Sequence, residues 1–184
     1  MACNITKGRS EPCKDTVGGI QAVYFIDFGT LGDVGFESNS DEINDFDGNP
    51  SGTAVTAFKY QVKGNSGLEQ TVTTSRETGT TFYDQVLTLV FKKLSVQSHD
   101  QLALIAVARP HVVVEDNNGN FFMCGLEFGC DVNGGTVATG TGMGEMSGYS
   151  LTLQGMEKKP ANFLKGGFAG VGITVDSSSD IDDI

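Results

Sequence analysis

The sequence predicts a mainly β domain: a β-sandwich or barrel-like body with one flanking α-helix. Three observations carry that prediction. Apolar and polar residues alternate with period two in segment after segment, which is the strand period rather than the helical one. Val, Ile, Thr, Phe and Tyr fill those segments, and these are the residues that pack best on a pleated surface. Clusters of Gly, Asn, Asp and Ser separate them, with Gly reaching 25 of 184 residues, close to twice the ordinary usage of about 7%. A chain of this length makes one domain with a real core.

Taken in order, "IQAVYFIDF" (Ile20 to Phe28) places Ile20, Ala22, Tyr24, Ile26 and Phe28 on one face. "AVTAFKYQVK" (Ala54 to Lys63) sets Phe58, Tyr60 and Val62 opposite Lys59, Gln61 and Lys63. Both read as strands with one buried face. "LEQTVTTSRE" from Leu68 is Thr-rich with few apolar anchors, so it reads as a strand exposed over much of its surface or covered by a partner. "YDQVLTLVFKKL" from Tyr83 is apolar on both faces, with Leu87, Leu89 and Phe91 on one and Val86 and Val90 on the other, as a central strand requires.

The single helix begins near "SHDQLALIAVARP". Ser98 followed by Gln101 matches a capping box, Asp100 falls in the first turn, and Pro110 stops the helix. Leu102, Ile105 and Ala106 form its core-facing stripe. A hairpin follows, in which "NNGN" (Asn117 to Asn120) joins "HVVVED" to "FFMCGLEFG"; Asn and Gly accept the positive φ of a tight turn, so the tip reads as a turn. A Gly- and Thr-rich strand from Asp131, a Gly-rich stretch, and a strong strand through Tyr149, Leu151 and Leu153 complete the body.

Three segments fall outside this pattern. Residues 1–17 form an N-terminal arm, the acidic stretch 29–53 forms a long loop, and 165–184 form a Gly-rich, acidic C-terminal extension around a body spanning 18–164. Loops this long in a compact domain are functional or disordered. The last nine or so residues, polar and acidic, are expected to be solvated.

Charge and motifs narrow the function. A net charge of −11 and a pI near 4.4 disfavour a grip on nucleic acid, which draws on Lys and Arg releasing counterions. The first residues contain no apolar signal core, and no run of about 18 apolar residues appears, so a soluble protein made in a cytosol is expected. Cys3, Cys13, Cys124 and Cys130 include no CxxC pair, and buried thiols are the expected state. Cys124 and Cys130, placed on one extended strand, stand about 20 Å apart unless a bulge intervenes.

Catalytic constellations are missing. "GTGMGEMSG" lacks the Gly-Lys-Ser/Thr of a P-loop and the setting of a dinucleotide fingerprint. "INDFDGNPSGTA" has Asp45, Asp47 and Gly48 but carries Ile43 and Ala54 where a calcium loop needs its first and twelfth ligands. His99 and His111 read as capping or surface residues. Glu115, Asp116, Glu127 and Asp131 read as solvent-facing charges on hairpin rungs. No catalytic, cofactor or metal site is expected.

The order of elements does carry a resemblance. The strand "QVLTLVFKKL", one short helix, a Pro, a hairpin and a Gly-rich passage into "MSGYSLTLQGMEKKPANFL" resemble bacteriophage tail tube (major tail) proteins. "GYSLTLQGMEKKPANF" is the most family-like phrase; "ARPHVVVEDNNGNFF" is similar to a hairpin of phage structural proteins. The likeness spans roughly Gly18 to Leu164 and departs at the C-terminal extension. It implies a virion structural protein, assembled in the host bacterial cytoplasm, whose sheets close into hexameric rings that stack into a conduit for genome delivery. Its partners would be further copies of itself, the tape measure and terminator, a sheath if the tail is contractile, and genomic DNA passing without specific binding; no membrane is involved. Six copies would place about −66 on each ring. Asp33, Glu37, Asp41, Glu42, Asp45 and Asp47 are the candidate lumen or inter-ring contacts, and Ile5, Phe168, Val171, Ile173 and Val175 the candidate arm contacts. The alternatives are a head-to-tail connector or terminator, a capsid decoration protein, and a carbohydrate-binding β-sandwich. Against the last stand the absence of Trp and an aromatic content of only 9%.

Overall fold

A computed structural model describes residues 8–11, 13–38, 40–46 and 54–176. The elements are β1 (Ile20–Ile26), β2 (Val34–Phe36), β3 (Ile43–Phe46), β4 (Val55–Gln61), β5 (Gly67–Ser75), β6 (Thr80–Lys92), α1 (Val96–Val107), β7 (His111–Asp116), β8 (Phe121–Cys124), β9 (Asp131–Ala138), β10 (Gly148–Glu157), β11 (Asn162–Phe163), α2 (Gly167–Gly170) and β12 (Ile173–Asp176). They form a six-stranded sheet, β11-β8-β7-β1-β4-β12, a four-stranded sheet, β5-β6-β10-β9, and a separate hairpin, β2-β3. The protein is thus mainly β with a flanking helix.

The two large sheets pack face to face over the first core. Val23, Phe25, Val112 and Val114 come from the six-stranded sheet, and Leu87, Leu89, Tyr149 and Leu153 from the four-stranded one. Leu102 and Ile105 of α1 join this core. Each such side chain contributes about 1.5–3 kcal/mol when fully buried, so the alternation of β6 and β10 fixes their register: a slip by one residue would turn every Leu to solvent. Central placement of β6, between β5 and β10, follows its two-faced apolar pattern.

A second core lies on the far side of the six-stranded sheet. Ala22, Tyr24 and Ile26 of β1 meet Val113, Met123, Ile43, Phe46, Val171 and Ile173 there. The strand β1 is therefore buried on both faces, not one. A bulge between Ile20 and Ala22 also moves Ile20 to the first core, and Phe28 falls beyond the strand, half exposed. β4 likewise serves both cores from its two faces: Val55 and Ala57 face the second, Tyr60 and, just past the strand, Val62 face the first, while Phe58 is exposed.

The second core corrects two boundaries. Stretch 29–53 is not a free loop over its described part: β2 and β3 pair within it, and Leu31, Ile43 and Phe46 anchor it to the body. The body also runs past Leu164, because β12 adds in parallel to β4 with Ile173 opposite Val55 and Asp176 opposite Phe58. The helix starts earlier than expected too. Ser95, not Ser98, is the N-cap, its hydroxyl accepting from the Ser98 amide at 3.2 Å; Asp100 lies beyond the first turn, and Ala106 is exposed.

The hairpin tip is a turn and also a clasp. Asp116 accepts the amides of Asn118 and Asn120, closing the turn, with Gly119 at φ 80°. Asn118 then pairs as a strand would with Val17: its Oδ1 accepts the Val17 amide at 2.9 Å and its Nδ2 donates to the Val17 carbonyl at 2.8 Å. Asn117 donates to the Gly18 carbonyl at 2.8 Å. The arm thus meets the body through the "NNGN" tip. Asn118→Ala removes both Val17 bonds at a cost of about 1 kcal/mol, and amide exchange at Val17 is expected to quicken while the β7-β8 ladder keeps its protection.

Candidate functional site

The four-stranded sheet is the surface that the sandwich does not use up. Among the described residues its border strands β5 and β9 each pair with one neighbour only, so one row of backbone N–H and C=O groups on each faces outward. β9 is exposed from Asn133 to Val137, and β5 is exposed at most positions. Long open edges of this kind are templates for pairing with another chain.

The register shows what its outward face presents. Glu69, Val86, Gln154 and Asp131 form one cross-strand row, Gly67, Thr88, Thr152 and Gly134 a second, and Thr71, Asp84 and Met156 a third. All lie opposite Leu87, Leu89 and Leu153, which point into the core. Extra residue Asn133, bulged between Val132 and Gly134, donates to Gln154 at 2.8 Å, and Gln154 donates to Asp84 at 2.7 Å. The face is a carpet of hydroxyls and amides carrying Glu69, Asp84 and Asp131, with Lys92 at one end. Beyond the core, β5 and β6 continue as a hairpin exposed on both sides, laced by Thr74 and Thr81 at 2.9 Å.

The acidic residues expected at a lumen or between rings are not on this face. Asp33, Glu37, Asp41, Glu42 and Asp45 sit on or beside the β2-β3 hairpin, over the second core and on the opposite side of the sandwich from the open face. Glu37 is bonded by Lys165, and Asp41 by Lys159 at 2.6 Å. These pairs are exposed and screened by solvent, so they link the hairpin to the segment after β10 without being what anchors it. Asp47 and Ile5 lie outside the described residues. The other arm candidates serve this chain's own second core: Val171 and Ile173 are buried, Val175 is half-buried, and Phe168 packs on Tyr24 and Phe121 at ring-centroid distances of 4.4 and 5.0 Å. Glu69 and Asp84 carry no mark in the sequence, and Asp131 reads there only as a solvent-facing charge, because single acids in Thr-rich strands look like ordinary surface; the pairing register was the missing information.

A buried polar cluster holds the crossing between the sheets. The chain leaves β8 at Cys124, turns through Gly125 to Gly129, and enters β9 beyond Cys130, so the two cysteines stand on different strands rather than along one. Both thiols are free and buried; burial raises both pKa values, that of Cys130 to about 12. Around the turn, Gln85 accepts the Gly125 amide at 3.0 Å, and Glu157 accepts the Glu127 and Phe128 amides at 2.9 Å each. His111 is buried, not a surface residue: Nδ1 donates to the Gly125 carbonyl at 2.6 Å, Nε2 accepts the Gly29 amide at 3.2 Å, and Phe28 stacks on the ring. This set ties the sheets together, and among the described residues no group of three or more His, Cys, Asp or Glu could hold a metal.

The cluster makes stability depend on pH. Burial lowers the His111 pKa below 6.5, so the unfolded chain takes up that proton first, and the stability of the neutral imidazole is lost as pH falls below 6.5 towards the folded value. Burial raises the Glu157 pKa above 4.5, with the opposite sign: folding gains as pH falls past the raised value towards 4.5. Urea midpoints of the parent and of His111→Gln at pH 7 and about 5.5 are expected to separate the two. The variant loses less stability on acidification than the parent.

No protein-family model, characterised protein sequence or solved structure matches this chain.

Proposed function

We propose that the chain is the self-assembling subunit of a bacteriophage tail tube, with six copies closing through their four-stranded sheets into rings that stack around a genome conduit. The observation that supports the reading best is the four-stranded sheet with both borders open. Its strands alternate in direction, so β5 and β9 run antiparallel to each other, and β9 of one copy meets β5 of the next as a regular antiparallel pair when copies are related by rotation. Such a heterologous contact closes into a ring. Six sheets of four strands give a 24-stranded barrel; strands about 4.8 Å apart and tilted about 40° set its radius near 24 Å, wide enough to leave an aqueous channel.

The outward face then becomes the channel wall. Hydroxyls and amides offer no cationic grip, and Glu69, Asp84 and Asp131 repel a phosphate backbone, so DNA slides rather than sticks. Concentrated protein viewed by negative-stain microscopy tests the reading. Long tubes of uniform bore are the expected result. Isolated rings would instead make it a connector or terminator, and monomers or trimers a decoration protein.

A further inference from the structure

The two borders of the four-stranded sheet are offset along the strands. Through β6, Gly67 stands level with Thr152 of β10 and Val72 with Glu157, whereas β9 runs level with Gly148 to Gln154. β5 therefore overhangs one end of the sheet while β9 reaches towards the other, and the two overlap only between Thr152 and Gln154. Each border also carries a valine left open on the side that faces the first core. Val72, 54% exposed, shares that side with Leu68, and Val137, 60% exposed, shares it with Val132 and Gly135. A groove of about 410 Å³ runs along this side between β9 and α1, lined by Leu102, Ala106, Val132, Val137 and Tyr149.

We infer that β5 of the next copy docks on β9 with Val72 opposite Val132 and Leu68 opposite Val137, and that these two side chains close the groove. The inference rests on the ring proposed above and adds its register. Within one copy Val132 is level with Leu68, so meeting Val72 of the next copy is an offset of four residues. In a closed barrel this offset fixes the strand tilt. Opposed residues share a face, so only even offsets keep core-side residues together. At about 3.4 Å per residue and 4.8 Å between strands, four strands offset by two, four or six residues tilt by about 20°, 35° or 47°. Barrels tilt by about 35–45°, and an eight-stranded barrel with a stagger of eight, the same ratio as four over four, tilts by about 36°. Side chains select the same offset. Valine meets valine and leucine meets valine along the groove, while on the channel side Thr71 meets Gly134, Glu69 meets Thr136 and Thr73 meets Asp131, so no two charges are opposed. An offset of six would instead set Thr74 on Val132 and Gln70 on Val137.

Cysteine pairs in the full chain, carrying Cys3→Ser and Cys13→Ser, read the register. In assembled tubes Thr71→Cys with Gly134→Cys is expected to form disulfides about tenfold faster than Glu69→Cys or Thr73→Cys with Gly134→Cys, because directly opposed Cβ atoms stand about 5 Å apart and diagonal ones about 7 Å. All four positions are exposed, and an added Cβ on Gly134 meets open space. Within one copy β6 and β10 separate Thr71 from Gly134, so each disulfide joins two copies. Electron cryo-microscopy of tubes of the unmodified protein is the second measurement, should the cysteine variants misfold: a strand tilt of about 35° is expected, and one of about 20° or 47° overturns the register. Tubes that cross-link through the Glu69 or Thr73 pair, or through none of the three, overturn it as well while leaving the ring in place. Protein that never assembles removes the ring and the register together.

Discussion

Proline placed on the outer edge of β9 is expected to abolish the tube assembly proposed above while leaving a folded subunit. In a border strand, successive amides alternate between the paired side and the open side, so of Thr136 and Val137, opposite Ser150 and Tyr149, one turns its N–H towards β10 and the other away. Thr136→Pro and Val137→Pro are therefore expected to behave differently in one assay and alike in another. The variant that loses a bond to β10 is destabilised, by about 3 kcal/mol; the other unfolds close to the parent, because proline is tolerated where the amide faces solvent. Both are expected to fail to form tubes, since proline's ring and missing donor would spoil the border that β5 of the next copy meets in the proposed ring. Each lost bond is worth only about 1 kcal/mol, but it recurs at every seam of a closed ring, so the effect on assembly is much larger than on folding. Thermal melts and negative-stain images of both variants decide the matter. Tubes from the stably folded variant would remove the β9-to-β5 seam, and with it the proposed channel.

Gly125→Ala is expected to cost about 3 kcal/mol or more, the largest effect of any single methyl group considered for this chain. Gly125 sits at φ 63°, where a side chain is strained. An added Cβ would also stand 2.5 Å from the Gly129 carbonyl carbon and 2.7 Å from Cys130 Sγ. Backbone cannot swing aside as a side-chain tip does. The damage extends further because the Gly125 amide is held by Gln85 and its carbonyl by His111, so displacing this peptide leaves buried polar groups unpaired, at about 1–3 kcal/mol each. Urea unfolding measures the loss. Gly119→Ala, at φ 80° with open space around its Cβ, is the matched control and should lose about 1 kcal/mol.

Much of the architecture was legible in the sequence because it rests on local patterns. Period-two alternation located β1, β4, β5, β6, β7, β8, β9 and β10, and the two-faced apolar run of "QVLTLVF" placed β6 inside its sheet. What escaped depends on distant partners. Nothing near Tyr24 or Ile26 announces that a second core will cover them, because its lid is assembled from other segments, Ile43 and Phe46 of β3 and, much further along the chain, Val171 and Ile173. The same cause hid β12, whose partner β4 precedes it by more than half the chain. His111 was misread for a related reason: its two partners, Gly29 and Gly125, are glycines, which carry no mark of a hydrogen-bonding role. The acids of the open face became visible only once cross-strand rows lined up Glu69 with Asp131 and Thr71 with Asp84.

The parallel pairing of β12 with β4 also sets a schedule. During synthesis β4 emerges well before Ile173–Asp176 and stays without this partner until they have been made, so the second hydrophobic layer cannot be sealed before then. Contacts so distant in sequence close slowly, and a half-built subunit displays sticky borders on both sheets. Production in a crowded cell thus favours rapid completion or a holdase, and a ribosome that stalls shortly before Ile173 releases a product prone to clump.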